Sequence, residues 1–224
     1  MFQRTRPDLD PDALLDDGAR RLGLLLSGEE RAAFRHYRDE ILRWSARANL
    51  TALRDPIRIV QEGFLDSLAC LPMVPAGAAR AIDIGSGAGF PALPLAMVRR
   101  DLRFTLVEAS RRKANFLRHI CRLLDLSGVQ VLWARAEAVA AEAAHAGAYD
   151  LAMARAVAHP GRQAELAWPF LRVGGLFLAQ VGPSCPAAEL MARLPPGRLT
   201  AAVESPLPEF LGGPGRGLIL LRRI

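Results

Sequence analysis

Apolar positions along this chain follow two periods. In the first third they recur at helical spacing. Phe34, Tyr37, Ile41, Trp44 and Ala48 form one stripe, and Ile57, Val60, Phe64, Leu68 and Leu71 form another. Beyond Pro75 the pattern becomes short, unbroken apolar runs separated by helical windows. The runs Ala81–Ile84, Phe104–Glu108, Val129–Trp133, Tyr149–Ala154 and Gly174–Gln180 read as strands. Residues 91–98, 111–124, an alanine-rich stretch to about Ala146, and 163–171 read as the helices between them. Strands that alternate with helices imply a largely parallel sheet covered on both faces. The tail differs, with a possible helix over 187–194, a strand over 199–204, a proline- and glycine-rich loop and a last strand over 217–221. That ending fits an antiparallel hairpin at one sheet edge.

Local signals delimit the first helices. A short, poorly delimited helix lies between Asp8 and Leu26, with Gly23 weakening it. Ser27 with Glu30 three residues later is a capping box, and Asn49 is a candidate C-cap for the helix it opens. Asp55 before Pro56 is an N-cap with proline in the first turn, and Pro72 ends that helix. Residues 1–75 thus form a helical extension, and residues 76–224 an α/β domain in the same compact unit.

The stretch Asp83-Ile84-Gly85-Ser86-Gly87-Ala88-Gly89-Phe90-Pro91 joins the first strand to its helix. A glycine loop there brings backbone close to a nucleotide-like ligand. The dinucleotide pattern is G-x-G-x-x-G, but here the third glycine, Gly89, comes one residue early. An NAD-dependent oxidoreductase therefore fits poorly. The spacing resembles the first motif of class I S-adenosylmethionine-dependent methyltransferases. That cofactor has no phosphate; it needs a thin loop beside its methionine portion and a negative group for its ammonium and sulfonium. Asp83 is the candidate for that group. Glu108 ends the next strand nineteen residues after Gly89, where an acid bonds a ribose diol.

Composition narrows the picture. At 224 residues, 51% of them hydrophobic, the chain suits one medium domain with an appendage. No apolar run approaches transmembrane length, and residues 1–17 lack the apolar core of a secretory signal. Cys70, Cys121 and Cys185 are scattered, form no metal-ligand spacing and suit a reducing cytoplasm. The net charge is +6, and 28 of the 29 basic residues are arginine, with Lys113 the exception. A positive balance favours polyanions, and arginine richness also follows genome composition. Arg111, Arg112, Lys113, Arg118 and Arg122 gather on one predicted helix, as phosphate contacts or as a solvated face; Phe116, Leu117, Ile120, Leu123 and Leu124 would be its buried side, with Ser110 as its cap. His36, His119, His145 and His159 are scattered and read as solvated.

Six segments in order carry a more specific resemblance. They are Asn49-Leu50-Thr51-Ala52, Asp66-Ser67-Leu68, the loop from Asp83 to Pro94, Ser110-Arg111-Arg112-Lys113 with Phe116-Leu117, Arg135-Ala136-Glu137, and Arg155-Ala156-Val157-Ala158. From about Asn49 to Gly182 the chain resembles the bacterial 16S ribosomal RNA guanine-N7 methyltransferases of the glucose-inhibited division protein B family. The resemblance implies a class I methyltransferase fold, Rossmann-like, with a mostly parallel seven-stranded sheet. It implies S-adenosyl-L-methionine as cofactor, and as substrate a guanine in the 530 loop of 16S ribosomal RNA, free or in the small-subunit particle. It also implies cofactor contacts by Gly85 and Phe90, adenine-side contacts by Ala136 and Glu137, and a role for Arg155 just after the fourth strand. A cytoplasmic monomer is expected. Three positions depart from the family pattern: Ala92 for a glycine, Gly63 for a histidine and Gln180 near a usual lysine.

N7 of guanine has an in-plane lone pair and no proton, so its methylation needs no general base. The chain shows no nucleophile–base pairing. Arg155, at a strand's C-terminal end, is the candidate to act beyond the loop, on the cofactor carboxylate or on the guanine edge. Two other readings remain open: a methyltransferase acting on another RNA, a protein or a small molecule, and a non-catalytic RNA-binding assembly factor.

Overall fold

The computed structural model describes residues 9–46, 50–155, 160–182, 190–191, 197–211 and 216–224. Asn49, the segment 156–159 with His159, Cys185 and most of the proposed 187–194 helix lie outside them.

The chain opens with α1 (Pro11–Arg21) and α2 (Gly28–Ser45). Asp10 caps α1, and the Ser27–Glu30 capping box forms as its spacing indicates. The next helix is built in three pieces: α3 (Pro56–Arg58), a π-helical turn Ile59–Leu65, and α4 (Asp66–Leu68). Asp55 caps it, its side chain accepting from the Arg58 N–H. The wider turn shifts the buried stripe. Ile59, Val60, Phe64, Leu65 and Leu68 are buried, whereas Ile57 and Leu71, placed in the stripe by regular spacing, are only half-buried.

The sheet follows: β1 (Arg80–Ile84), α5 (Ala92–Val98), β2 (Arg103–Glu108), α6 (Arg111–Leu123), β3 (Val129–Trp133), α7 (Ala136–Ala140), β4 (Tyr149–Arg155), α8 (Pro160–Ala167), β5 (Leu171–Val181), β6 (Leu199–Pro206) and β7 (Gly217–Arg223). Its seven strands run in the order β3-β2-β1-β4-β5-β7-β6. β1 to β5 pair in parallel, and β7 lies antiparallel between β5 and β6, the hairpin that the tail pattern implies. The strand order reverses between β1 and β4, and that is where an open α/β sheet leaves a crevice at its carboxyl ends.

Alternate residues of each strand feed two cores. One holds Phe104, Leu106, Leu151, Met153 and Leu178 with α5, α6 and the N-terminal helices. The other holds Ile82, Val107, Ala152 and Phe177 with α7 and α8. An aromatic cluster ties the N-terminal helices to the first core. Phe64 lies 5.0 Å from Phe34 and 5.2 Å from Tyr37, and Tyr37 lies 5.9 Å from Phe90, centroid to centroid. Trp44 meets Phe116 at 5.4 Å. Such pairs add about 0.5–1.5 kcal/mol each beyond burial.

Several expectations need correcting. The alanine-rich helix stops at Ala140 rather than near Ala146, because residues 141–144 are exposed and give no apolar stripe to bury. The helix expected over 163–171 instead spans α8, a 3₁₀ turn Trp168–Phe170 and the start of β5. Leu123 is 46% exposed, so it is not part of the buried face of α6. Ser110 makes no side-chain cap; its N–H instead donates to Glu108. His145 is not solvated: it is buried, with Nδ1 2.5 Å from the Tyr149 hydroxyl. His119 is paired too, its Nε2 2.9 Å from Glu40.

Candidate functional site

The crevice is built from the ends of β1, β2 and β4. After Ile84 the loop hooks over β2, with the Gly85 and Ser86 N–H groups both donating to the Val107 carbonyl, at 2.8 and 3.2 Å. Gly85, Gly87 and Gly89 have φ of 68°, 57° and 96°, a region L side chains rarely adopt. Gly89 also lacks room: a Cβ there would run into the Tyr37 hydroxyl and Leu93. The loop turns back through a Gly89 N–H bond to the Ser86 carbonyl at 2.6 Å. From outside, the Tyr37 hydroxyl donates to the Ala88 carbonyl at 2.5 Å. Tyr37 reads from its stripe as a core residue; it is one, and it also braces the loop from α2. Its sequence separation of 51 residues from Ala88 hides that second role.

Two carboxylates face this loop in different ways. Glu108, 7% exposed, accepts from the Gly87 N–H at 2.9 Å and the Ser110 N–H at 2.8 Å, one on each oxygen. Each oxygen keeps a lone pair for a further donor. Asp83 is fully buried, and neither of its oxygens has a hydrogen-bond partner among the described residues. Burial pushes its carboxyl up to about 8; the neighbouring Ser86 hydroxyl, which donates to the Asp83 main-chain carbonyl at 3.1 Å, opposes the rise, the charge of Glu108 adds to it, and Arg155 opposes it. A buried carboxyl with no donor is costly. The protein carries that cost at the point where the glycine loop opens, and a cation placed there would relieve it.

Arg155 closes the other side. It ends β4, with its guanidinium carbon 5.7 Å from the centre of the Phe90 ring. One terminal nitrogen lies 3.9 Å from Asp66, and the other is buried without a partner among the described residues. Phe90 is itself held against Gly63: a Cβ at residue 63 would come 2.6 Å from the ring. Gly63, a departure from the family pattern, therefore leaves the space that Phe90 fills in this chain. Ala92, another departure, is wholly buried at the start of α5, which forms. Gln180, the third, pairs with Arg155 across β4 and β5 and donates to the Asp66 carbonyl at 2.9 Å.

The remaining predicted residues spread outward. Ala136 is buried at the start of α7, after the end of β3. Glu137 is exposed and pairs with Arg162 at 2.6 Å. Arg111 and Arg112 are exposed at the start of α6, and Lys113 is half-buried. Arg118 is half-buried and donates to the Val131 carbonyl at 3.4 Å, so it is partly turned back onto β3. Two residues with no motif to announce them also belong to this rim. Trp133, 51% exposed, ends β3 with Arg111 5.3 Å from its ring. Arg216, just before β7, binds Asp66 at 2.6 Å.

The strand order, the glycine turn at its reversal and the acid closing β2 define a class I methyltransferase, an enzyme that uses S-adenosylmethionine. Solved structures share the fold. Cofactor-bound Rv0187 from MTB superposes with a TM-score of 0.59, at 20% identity over 99% of both chains. A SAM dependent methyltransferase from Aquifex aeolicus gives 0.57, at 15% identity over 76% of this chain and 94% of that one. Sequence is more specific. The profile of the family described as rRNA small subunit methyltransferase G matches residues 30–192. The Ribosomal RNA small subunit methyltransferase G of Roseiflexus castenholzii is 42% identical over 181 residues, covering 81% of this chain and 77% of that protein. The protein of the same name in Rubrobacter xylanophilus is 43% identical over 184 residues, covering 79% and 70%. The chain belongs to the small-subunit ribosomal RNA methyltransferase G family.

Proposed function

We propose that this protein methylates N7 of a guanine in the 530 loop of 16S ribosomal RNA, acting as a cytoplasmic monomer on the RNA or the small-subunit particle. The observation that carries the reading is the buried Asp83 carboxyl, without a hydrogen-bond partner among the described residues, at the glycine loop of a chain from this family. S-adenosylmethionine, when bound, supplies a methyl made electrophilic by its sulfonium. Asp83 offers a negative seat for the cationic part of that cofactor. Glu108 has the spare lone pairs for two ribose hydroxyls and stays fixed by the Gly87 and Ser110 N–H groups while accepting them. Gly85, Gly87, Gly89 and Phe90 line the approach, Ala136 and Glu137 flank the adenine side, and Arg155 meets the cofactor carboxylate or orients the guanine.

Because N7 offers a free lone pair, what these residues supply is position and electrostatic environment. Nothing in the crevice has to take a proton. Arg155 stays charged throughout the neutral range even though burial draws its pKa down. A bidentate grip on N7 by Arg155 would block the attacking lone pair, so its contact with the target nucleotide is guanine O6 or a backbone phosphate. The exposed Arg111 and Arg112, with Lys113 and Arg118 behind them, provide phosphate contacts beside the mouth.

The test is transfer of labelled methyl groups to ribosomal RNA from a strain lacking this protein, followed by mapping of the modified base. A single labelled guanine in the 530 loop is the expected result. Label in another RNA, or none in any RNA while cofactor still binds, overturns the reading.

A further inference from the structure

Asp66 is the centre of a buried polar cluster outside the glycine loop. It sits in α4, 2% exposed, in the wall of the crevice beside Arg155. Its Oδ1 takes Nη2 of Arg216 at 2.6 Å, and its Oδ2 faces Nη2 of Arg155 at 3.9 Å. Its main-chain carbonyl takes Nε2 of Gln180 at 2.9 Å and lies 3.6 Å from Sγ of Cys70. Arg216 also donates to the Leu211 carbonyl at 3.3 Å. Asp66 thus joins the helix of the N-terminal extension to three other places: its carboxylate faces the end of β4 and the lead into β7, and its main-chain carbonyl takes Gln180 of β5.

Burying a carboxylate costs several kcal/mol unless cations and donors compensate it. Here burial outweighs two guanidiniums, so the carboxyl is pushed up to about 6. A tie between α4 and β7 alone would need only Oδ1 and Arg216. Oδ2 faces the arginine at the end of β4, close enough for strong attraction in a buried setting but beyond hydrogen-bond length. Arg155 is thereby drawn to the end of β4 over Phe90, while its second terminal nitrogen keeps no partner among the described residues. That is the geometry of an arginine held in place with one terminal nitrogen unpartnered among the described residues.

We propose that Asp66 is a positioning residue: it holds the Arg155 guanidinium at the cofactor crevice, and Arg216 holds Asp66 in turn. The proposal rests on the reading of Arg155 as a residue that faces the cofactor. It places the fixing of a β4 side chain in the helical extension and in the C-terminal hairpin, both outside the glycine loop.

The experiment is a double-mutant cycle between Asp66→Asn and Arg155→Ala. It is read as the S-adenosylmethionine dissociation constant by calorimetry and as the single-turnover methyl-transfer rate on ribosomal RNA. Each variant is measured well below its melting temperature. Arg155→Ala should weaken cofactor binding about tenfold or more, the scale of a lost hydrogen bond to a charged group. Asp66→Asn should lose a smaller part of the same affinity, and the double variant should bind no more weakly than Arg155→Ala alone. Residues that act as one unit show such non-additivity, and a loss of general stability does not produce it. If removing half of a buried ion pair unfolds Asp66→Asn, the pair Asp66→Asn with Arg216→Met removes the stranded charge as well and replaces it in the cycle. An affinity unchanged by loss of the carboxylate, or a loss that adds in full to that of Arg155→Ala, overturns the proposal. If the wild-type chain transfers no methyl to RNA, the proposed function fails, and the affinity cycle still decides the role of Asp66.

Discussion

The two sides of the crevice are organised in opposite ways. On the β1–β2 side stand two carboxyls, and no arginine among the described residues bonds to either. Backbone N–H groups satisfy Glu108, and Asp83 has no hydrogen-bond partner among the described residues. On the β4–β5 side, two arginines share the single carboxylate of Asp66, and Arg155 keeps a terminal nitrogen with no partner among those residues. One side is short of positive charge and the other has cation to spare. A ligand that carries an ammonium and a sulfonium near one end and a carboxylate beside them matches that asymmetry. The comparison also separates what is fixed in advance from what waits for the ligand. Glu108 already occupies its place through the Gly87 and Ser110 N–H groups, whereas Asp83 has no such bonds among the described residues.

Breaking the β1–β2 side should have the largest effect. Gly85→Val puts a branched side chain at φ 68°, where the loop hooks onto Val107. S-adenosylmethionine binding should become undetectable by calorimetry while the far-ultraviolet circular dichroism stays that of the wild type. Retained affinity would detach the loop from the cofactor. Glu108→Ala comes next. Losing an acceptor of two ribose hydroxyls costs roughly 1.5–3 kcal/mol, a rise in dissociation constant of about tenfold or more. Part of that rise reflects the freed Gly87 and Ser110 N–H groups. Glu108→Gln, which keeps the shape but exchanges one acceptor for a donor, should therefore also bind weakly. Wild-type affinity in Glu108→Gln, which also gives up one of the two backbone bonds, would show that the second carboxylate oxygen accepts nothing needed from the ribose.

The smallest effect should fall outside both sides. Neutralising Arg111 and Arg112 should leave cofactor affinity unchanged. It should flatten the salt dependence of RNA binding by about 0.7–0.9 units of slope for each phosphate no longer neutralised. Adding Arg118 to the set should change the slope less than either exposed arginine does, because its guanidinium already bonds the Val131 carbonyl. An unaltered slope in the double variant would make this helix face merely solvated.

The same division decides what could be read from the sequence. The β1–β2 side is local. Asp83, the three glycines and Glu108 lie within 26 residues, and each is placed by a strand end or a turn that its neighbours specify. The strand count, the parallel core and the edge hairpin were legible for the same reason: each strand is a short apolar run with its own boundaries. The Asp66 cluster is not local. Asp66 and Arg216 are 150 residues apart, and no periodicity connects a helix aspartate to an arginine in a glycine-rich loop. The π-helical turn was equally hidden, since regular spacing assigned Ile57 to a face that Ile59 occupies. In α7, alanine favours helix wherever it falls, but helix length depends on apolar burial that residues 141–144 do not have.

Asp83 tests the central claim most directly. In the free protein its carboxyl is pushed up to about 8, so near neutral pH it holds a proton that the unfolded chain has already lost. This raised value favours the folded free protein in acid, and the advantage is lost as pH rises through about 8. A cation seated beside Asp83 reverses the balance and drives the proton off. The measurement is calorimetry of S-adenosylmethionine binding at about pH 7 in buffers of different ionisation enthalpy, with Asp83→Asn as control. The account predicts release of about one proton per cofactor bound in the wild type, from that shift in carboxyl pKa, and none from this site in Asp83→Asn. A binding enthalpy independent of the buffer in the wild type, or equal proton release in the variant, would contradict it.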